Sequence, residues 1–239
     1  RFYDADEGYV KNVIGGEISL GRPWFSNFNV FINFKRETST ISEIEGKALP
    51  EDLEEGERTY QSLKPGIAWD SRLRDEVFSP YAGFYALLSV EKSGGFLGGD
   101  VDFTKYSVET RNYFRYGRLW TQPTLALRLR GRWGVDLPID EQFYVGGQDT
   151  LRGYMANEFR GSQVLLGTAE FRVPLSENFL SYLFLDAGNI SNPGEYEENF
   201  RMGYGFGIRM NTPLGPIRLD YGIGDEGEPR FYFGMGDIF

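Results

Sequence analysis

The sequence contains no cysteine and no histidine in 239 residues. The first absence removes disulfides, thiolate nucleophiles and thiolate-held metals or iron–sulfur clusters. The second removes Ser-His-Asp and Cys-His catalysis and every imidazole-ligated metal. Bond-making chemistry would have to rest on carboxylates, Lys, Tyr, Ser or Thr. Acidic residues are plentiful, but no spacing singles out two of them as a hydrolytic pair. No catalytic residue, no metal site and no cofactor is singled out, and a carboxylate-pair hydrolase is the enzyme reading the composition leaves open. Positive charge is scarce: 25 Lys and Arg stand against 35 Asp and Glu, a net charge of −10, which argues against nucleic acid as a partner. Long apolar runs are missing as well. Mean hydropathy is −0.40, and no stretch of about 18 apolar residues could form a membrane-crossing helix. The opening Arg1-Phe2-Tyr3-Asp4-Ala5-Asp6 is not a signal peptide.

The chain is rich in glycine and aromatics. Glycine contributes 31 residues, roughly twice its average usage, and aromatics make up 16%, far from a disordered composition. Helical periodicity is hard to find, because Gly and Pro interrupt almost every long window. Alternation with period two is frequent instead. Leu125, Leu127, Leu129 and Trp133 fall opposite Thr124, Ala126, Arg128, Arg130 and Arg132. Met202, Tyr204, Phe206, Ile208 and Met210 alternate with Gly203, Gly205, Gly207 and Arg209. Ile217, Leu219, Tyr221 and Ile223 alternate with Arg218, Asp220 and Gly222, and Phe28, Val30, Ile32 and Phe34 repeat the rhythm near the start. Strands are expected over 10–22, 26–44, 57–72, 81–93, 99–116, 119–135, 162–175, 179–189, 201–213, 215–224 and 229–239.

About eleven strands result, many near the length of about 9–11 residues that crosses a bilayer. Tight turns are expected at 22–24, 175–178 and 212–216, and long acidic connections at 43–57 and 192–199. Short turns on one side and long polar loops on the other are the asymmetry of an outer-membrane barrel. A soluble sandwich or barrel also alternates, but here one face carries bulky aromatics in strand after strand. The longest connection, about 136–161, is expected to be a functional loop.

That loop carries Phe143-Tyr144-Val145-Gly146-Gly147 followed by Leu151-Arg152-Gly153-Tyr154. The stretch resembles the loop-six motif of the BamA/TamA family of outer-membrane assembly factors. Further pieces follow in the family's order: 168–174 (TAEFRVP), 184–188 (FLDAG), 213–220 (PLGPIRLD) and the closing 231–239 (FYFGMGDIF). Upstream, 66–70 (GIAWD) with 78–80 (FSP) resembles an earlier family hairpin. The likeness is good over 60–239 and loose over 1–59.

The resemblance implies an all-β fold: an antiparallel transmembrane β-barrel over 1–239, part of a sixteen-stranded family barrel, with the long loop folded inward. It implies an outer membrane of a Gram-negative-type bacterium or of an organelle of such descent. It implies a loop-six motif of Gly146, Gly147, Leu151, Arg152, Gly153 and Tyr154, in which Arg152 pairs with Glu170 and Asp186. Strand parity independently puts both acids opposite the apolar face of their strands, and the guanidinium is a planar, permanently charged fork able to take two carboxylates. The plainer reading of the three is solvated loop and strand charges. The closing strand contributes Phe231, Phe233 and Phe239 on the lipid side, with Gly234 and Gly236 on the other. Two glycines weaken a strand, and in the family this strand meets the first at a lateral seam through which client strands are inserted; the plainer reading is a closing strand anchored in lipid.

The implied function is assembly and insertion of outer-membrane proteins, in which no bond is made or broken, so the resemblance implies that the chain is not an enzyme. The implied partners are unfolded outer-membrane clients, periplasmic accessory proteins and the lipid bilayer. A polypeptide exporter or a passive transport pore of the same superfamily is the alternative, since Arg128, Arg130 and Arg132 could line an anion path. The strand count falls short of sixteen and the family's periplasmic POTRA domains are absent from this stretch. Two explanations stand: a C-terminal part of a longer protein, or a short relative. The intact mass in the native membrane decides between them. The first expects a value far above the 27.3 kDa of this chain, the second a value near it.

Overall fold

A computed structural model describes residues 2–4, 9–42, 55–74, 80–117, 122–193, 200–213, 215–225 and 227–236. The strands are β1 (Phe2–Asp4), β2 (Tyr9–Phe25), β3 (Phe28–Ser42), β4 (Gly56–Asp70), β5 (Leu73–Arg74), β6 (Pro80–Ser93), β7 (Phe103–Arg115) and β8 (Thr124–Val135). They continue as β9 (Phe143–Val145), β10 (Phe159–Gly161), β11 (Gln163–Pro174), β12 (Phe179–Ser191), β13 (Arg201–Thr212), β14 (Gly215–Gly224) and β15 (Pro229–Met235). Two 3-10 turns, Gly95–Leu97 and Ile139–Glu141, are the helical elements of the described residues. Eleven of the strands are long, and these are the eleven expected from alternation. The sheet runs β1-β2-β3-β4-β6-β7-β8-β11-β12-β13-β14-β15, each strand bonded to its neighbour in the chain's order, with β5 beside β6. Every register resolved is antiparallel.

Two details depart from the sequence reading. The first turn is Ser26-Asn27, not 22–24, because β2 carries on to Phe25 with an irregularity at Pro23. Proline cannot donate to a ladder. It is accommodated because β1 covers β2 only at Tyr9, Val10 and Lys11, so among the described residues Pro23 has no partner strand on that side. The long connection is not a bare loop: it opens with the 3-10 turn and holds the two-stranded sheet β9–β10, with Phe159 opposite Val145 and Gly161 opposite Phe143. The acidic stretch 43–54, the segments 75–79 and 194–199, and 237–239 with Phe239 lie outside the described residues.

The chain divides into two compact units. The first comprises 1–67, 89–106 and 134–142. Within it the 3-10 turn at the start of the long connection is tied to three strands. Tyr60 donates its hydroxyl to Asp140 at 2.8 Å, Lys11 lies 3.0 Å from the same carboxylate, and Lys105 pairs with Glu141 at 2.6 Å.

The second unit comprises 68–88, 107–133 and 143–239. Its strands are sorted inside-out relative to a soluble protein. Buried are Arg128, Glu170, Arg172, Asp186, Arg209, Arg218 and Asp220, while Leu129, Phe171, Leu183, Tyr204, Phe206, Leu219, Phe231 and Phe233 are exposed. Burial of charge and exposure of large apolar groups are the informative departures from the usual pattern. They arise because each strand alternates, so one register sends every charge to one face and every aromatic to the other. Such an outer face fits lipid.

A charge in the middle of that face should be costly. Phe206→Arg is expected to destabilise the bilayer-reconstituted protein by about 2–4 kcal/mol in a urea titration, while Leu175→Arg, in a turn, costs about 0–1 kcal/mol. Equal effects at the two positions would mean that the outer face does not meet lipid.

Candidate functional site

The long connection returns along the inner face of the second unit. Two glycines start the return: Gly146 (φ +121°) and Gly147 (φ +88°) take backbone angles that side chains rarely adopt. Thr150 locks the bend by accepting the Gly146 N–H at 2.9 Å and donating to its carbonyl at 2.9 Å. The Gly147 N–H reaches the Leu151 carbonyl at 3.1 Å. Leu151 is fully buried, and Arg152 follows it.

Arg152 is 1% exposed. Its Nε and Nη2 donate to the two oxygens of Asp186 at 2.7 and 2.9 Å, and its backbone N–H reaches Asp186 Oδ2 at 3.1 Å. Its Nη1 donates to Glu170 Oε1 at 2.8 Å. The guanidinium lies 3.5 Å from the centre of the Phe184 ring, a cation–π contact that is strengthened by desolvation. Glu170 uses its other oxygen on Arg172, at 2.9 Å from Nε. Burial alone would lower the Arg152 pKa; the charges of Asp186 and Glu170 outweigh it and hold the pKa above its ordinary value. The arrangement is a buried ion cluster. Its worth lies less in net stability than in the penalty for breaking it, about 3–5 kcal/mol when one partner of a buried pair is removed.

Neighbouring residues extend the cluster. Asp220 lies 3.8 Å from Arg152 Nη1 and accepts from Tyr182 at 2.6 Å and from Gln148 of the loop at 2.7 Å. Asp149 pairs with Arg218 at 2.7 Å. Tyr232 of β15 accepts the Gly153 N–H at 2.7 Å and donates to the Tyr154 carbonyl at 2.8 Å. Tyr154 donates to Asp225 at 2.8 Å, and burial pushes its phenol above the ordinary value, so it stays protonated as a donor.

Space for the loop comes from glycines in β13 and β14. A Cβ on Gly203 would stand 1.7 Å from the Arg152 carbonyl oxygen. One on Gly224 would stand 2.9 Å from the Gly153 carbonyl oxygen. Gly153 itself has φ +102°, and a Cβ there would meet the Gly224 nitrogen at 2.5 Å. Gly203 and Gly224 are cross-strand partners, so one bare pair forms the floor under Arg152–Gly153.

The structure thus gathers Gly146, Gly147, Leu151, Arg152, Gly153, Tyr154, Glu170 and Asp186 in one place. Phe231 and Phe233 point outward from β15, 81% and 69% exposed. Gly234 faces the loop, its missing Cβ only 2.1 Å from Gln148 Oε1. Gly236 departs from expectation: β15 ends at Met235, and Gly236 (φ +94°) leaves the strand while still donating to the Pro216 carbonyl at 2.8 Å. Phe184, Asp220, Tyr182, Tyr232 and the glycine floor were not singled out as site residues from the sequence. Alternation puts Gly203, Asp220 and Gly222 on the inner face; their nearness to the loop follows only from the register.

Two substitutions separate charge from space. Arg152→Lys keeps the charge but loses the fork. Gly203→Ala keeps every charge and blocks the floor. Both are expected to release the loop, seen as at least ten-fold faster protease cleavage within 146–158. Cleavage at the wild-type rate in both would contradict the fastening described.

Comparison with known proteins gives a consistent family. Residues 2–239 match the Omp85 superfamily domain. The outer membrane protein assembly factor BamA of Nitratidesulfovibrio vulgaris is 25% identical over 98% of this chain and 32% of its own length. Outer envelope protein 80, chloroplastic, of Arabidopsis thaliana is 31% identical over 40% of this chain and 15% of its own length. The chain therefore spans a third or less of these relatives. Among solved structures, BamA from Haemophilus ducreyi lacking POTRA domains 1–3 superposes with a TM-score of 0.80 at 15% identity, covering 94% of this chain and 54% of that one. CdiB from Acinetobacter baumannii gives 0.64 at 17% identity, covering 94% and 41%. The all-β antiparallel sheet is thus of the BamA barrel type, and with its inside-out faces and its match over nearly the whole length the chain belongs to the Omp85 superfamily, as a protein of an outer membrane of bacterial or organellar descent.

Proposed function

We propose that this chain forms the membrane part of an assembly factor that receives unfolded outer-membrane proteins and inserts them into the bilayer. The observation that carries the reading is β15. It is an end strand of the sheet path and, at seven residues, the shortest of the eleven long strands. Gly234 weakens it further. Its inner side is not loose, however, because Tyr232 is tied to the Arg152–Tyr154 loop. A strand held by its face, with no described strand on its far edge, is suited to pair with an incoming strand by β-augmentation, main chain to main chain. No bond is made or broken; the driving force is the client's own folding and strand pairing. Periplasmic accessory proteins would deliver the client.

A pore or polypeptide exporter is the second reading, and an inner-face cluster favours it. Arg111, Arg128 and Arg130 surround the single carboxylate of Glu109, at 2.6, 3.4 and 2.8 Å. Such an excess of guanidinium suits an anion path.

The absence of native cysteine makes capture simple. A cysteine replacing Phe233 is expected to form a disulfide with a cysteine in the terminal strand of a client during assembly in liposomes. A cysteine replacing Leu219, on the interior strand β14, is expected to capture none. Wild-type protein should speed client folding by at least ten-fold. No capture and no acceleration, together with a large steady single-channel conductance, would favour the pore.

A further inference from the structure

Arg218 of β14 and Arg209 of β13 are direct cross-strand partners. Both sit on the inner face, 4% and 3% exposed. Like charges directly opposite one another are destabilising. A third cation, Arg172 of β11, acts on Arg209 electrostatically. The carboxylates nearby are already engaged. Glu170 is shared by Arg152 and Arg172, and Asp220 accepts from Tyr182 and Gln148. Arg218 Nη2 reaches Asp149 at 2.7 Å, but the side chain of that acid is 76% exposed, where an ion pair is worth little. Arg218 Nε and Nη1 are buried and make no hydrogen bond to the described residues. A buried donor without an acceptor costs free energy, so this guanidinium calls for a further anion.

The register says where that anion would come from. Arg218 lies opposite Gly234 of β15. A Cβ on Gly234 would stand 3.3 Å from Arg218 Nη2, so the guanidinium leans over the bare glycine. β15 has no described strand on its far edge. A strand added there would lie about 4.8 Å away. Its residue opposite Gly234 would face inward, with its Cβ about 4.5–5.5 Å from where a Gly234 Cβ would be. An aspartate or glutamate in that place brings its carboxylate to the Arg218 fork. The neighbouring inward row has the opposite sign: Tyr232 lies opposite Asp220, so an acid added beside Tyr232 would share a row with an acid. The Arg218 row is also close to the tight turn between β13 and β14, and short turns are the periplasmic ones in outer-membrane barrels.

We propose that Arg218 is a specificity-determining residue: it selects an incoming strand that carries an aspartate or glutamate at the inward position opposite Gly234. Charge complementarity fixes the chemistry. A guanidinium takes a carboxylate through two parallel hydrogen bonds, whereas a side-chain amide brings one acceptor and no charge. Arg209 raises the gain, because a carboxylate added here relieves a pair of like charges. The inference rests on the assembly reading, in which β15 is the template for the client.

The test is disulfide capture in liposomes by the Phe233→Cys protein. The probes are synthetic strand peptides of about ten residues, alternating phenylalanine with threonine and carrying one cysteine at a phenylalanine position. In antiparallel register the residue before that cysteine falls opposite Gly234 and the residue after it opposite Tyr232. A peptide with glutamate before the cysteine should be captured at least five-fold faster than one with glutamine there. It should also be captured at least five-fold faster than one with glutamate after the cysteine, a comparison that cancels the effect of the added charge on the thiol. Arg218→Gln, combined with Phe233→Cys, should erase both differences. Heat-modified mobility on gels confirms that each variant is folded. If Arg218→Gln does not fold, the position preference of the Phe233→Cys protein alone decides. Equal capture of the three peptides, faster capture of the one with glutamate after the cysteine, or preferences that survive Arg218→Gln would overturn the inference and leave the assembly reading standing. Capture of no peptide would overturn both.

Discussion

A single buried guanidinium sets the terms for the second unit. Arg152 can be buried only if both faces of its charge are answered: in its plane by the carboxylates of Asp186 and Glu170, and above its plane by the Phe184 ring. Those partners must come from neighbouring strands in fixed register, since Glu170 of β11 lies directly opposite Phe184 of β12. A slip of one residue would turn both acids to the lipid side and bring Phe171 and Leu185 inward. The loop's position and the sheet's register are therefore one constraint. The glycine pair Gly203 and Gly224 meets it sterically, and Tyr232 extends it to β15.

The same alternation serves two solvents. Outward residues are mostly apolar or aromatic and face lipid; inward residues include the buried charges, the glycines beside the loop and the rings of Phe184 and Tyr182. The pairing of a rigid face with an open edge follows from this division. β15 is held through its inward Tyr232 and Gly234, while its outward phenylalanines are left to lipid and its far edge is free of any described strand. A weak strand can thus stay in place without being paired on both sides.

Much of this was legible in the sequence because β-strands write their two faces in period two. The eleven long strands follow from alternation, and so does the inward direction of Glu170 and Asp186. The partnership of those acids with Arg152 came from family resemblance, not from spacing. What stayed hidden depends on register. Asp220, Tyr182 and Gly203 share the inner face with many other residues, and only the ladder shows which of them stand beside the loop. The hairpin β9–β10 has three-residue strands, too short to show a period. The first turn lies past Pro23, not at it, because proline usually ends a strand and here sits where β2 has no described partner on one side.

The central claim is that Arg152 and Asp186 act as one unit, and a double-mutant cycle measures that directly. Arg152→Ala, Asp186→Ala and the pair would be compared by urea titration in lipid bilayers, with protease cleavage of the loop as a second readout. A pair variant that costs about as much as either single change, with a coupling energy of about 3 kcal/mol or more, is the result expected. Strictly additive costs, with a coupling near zero, would contradict the account and leave the buried arginine as one charge among many.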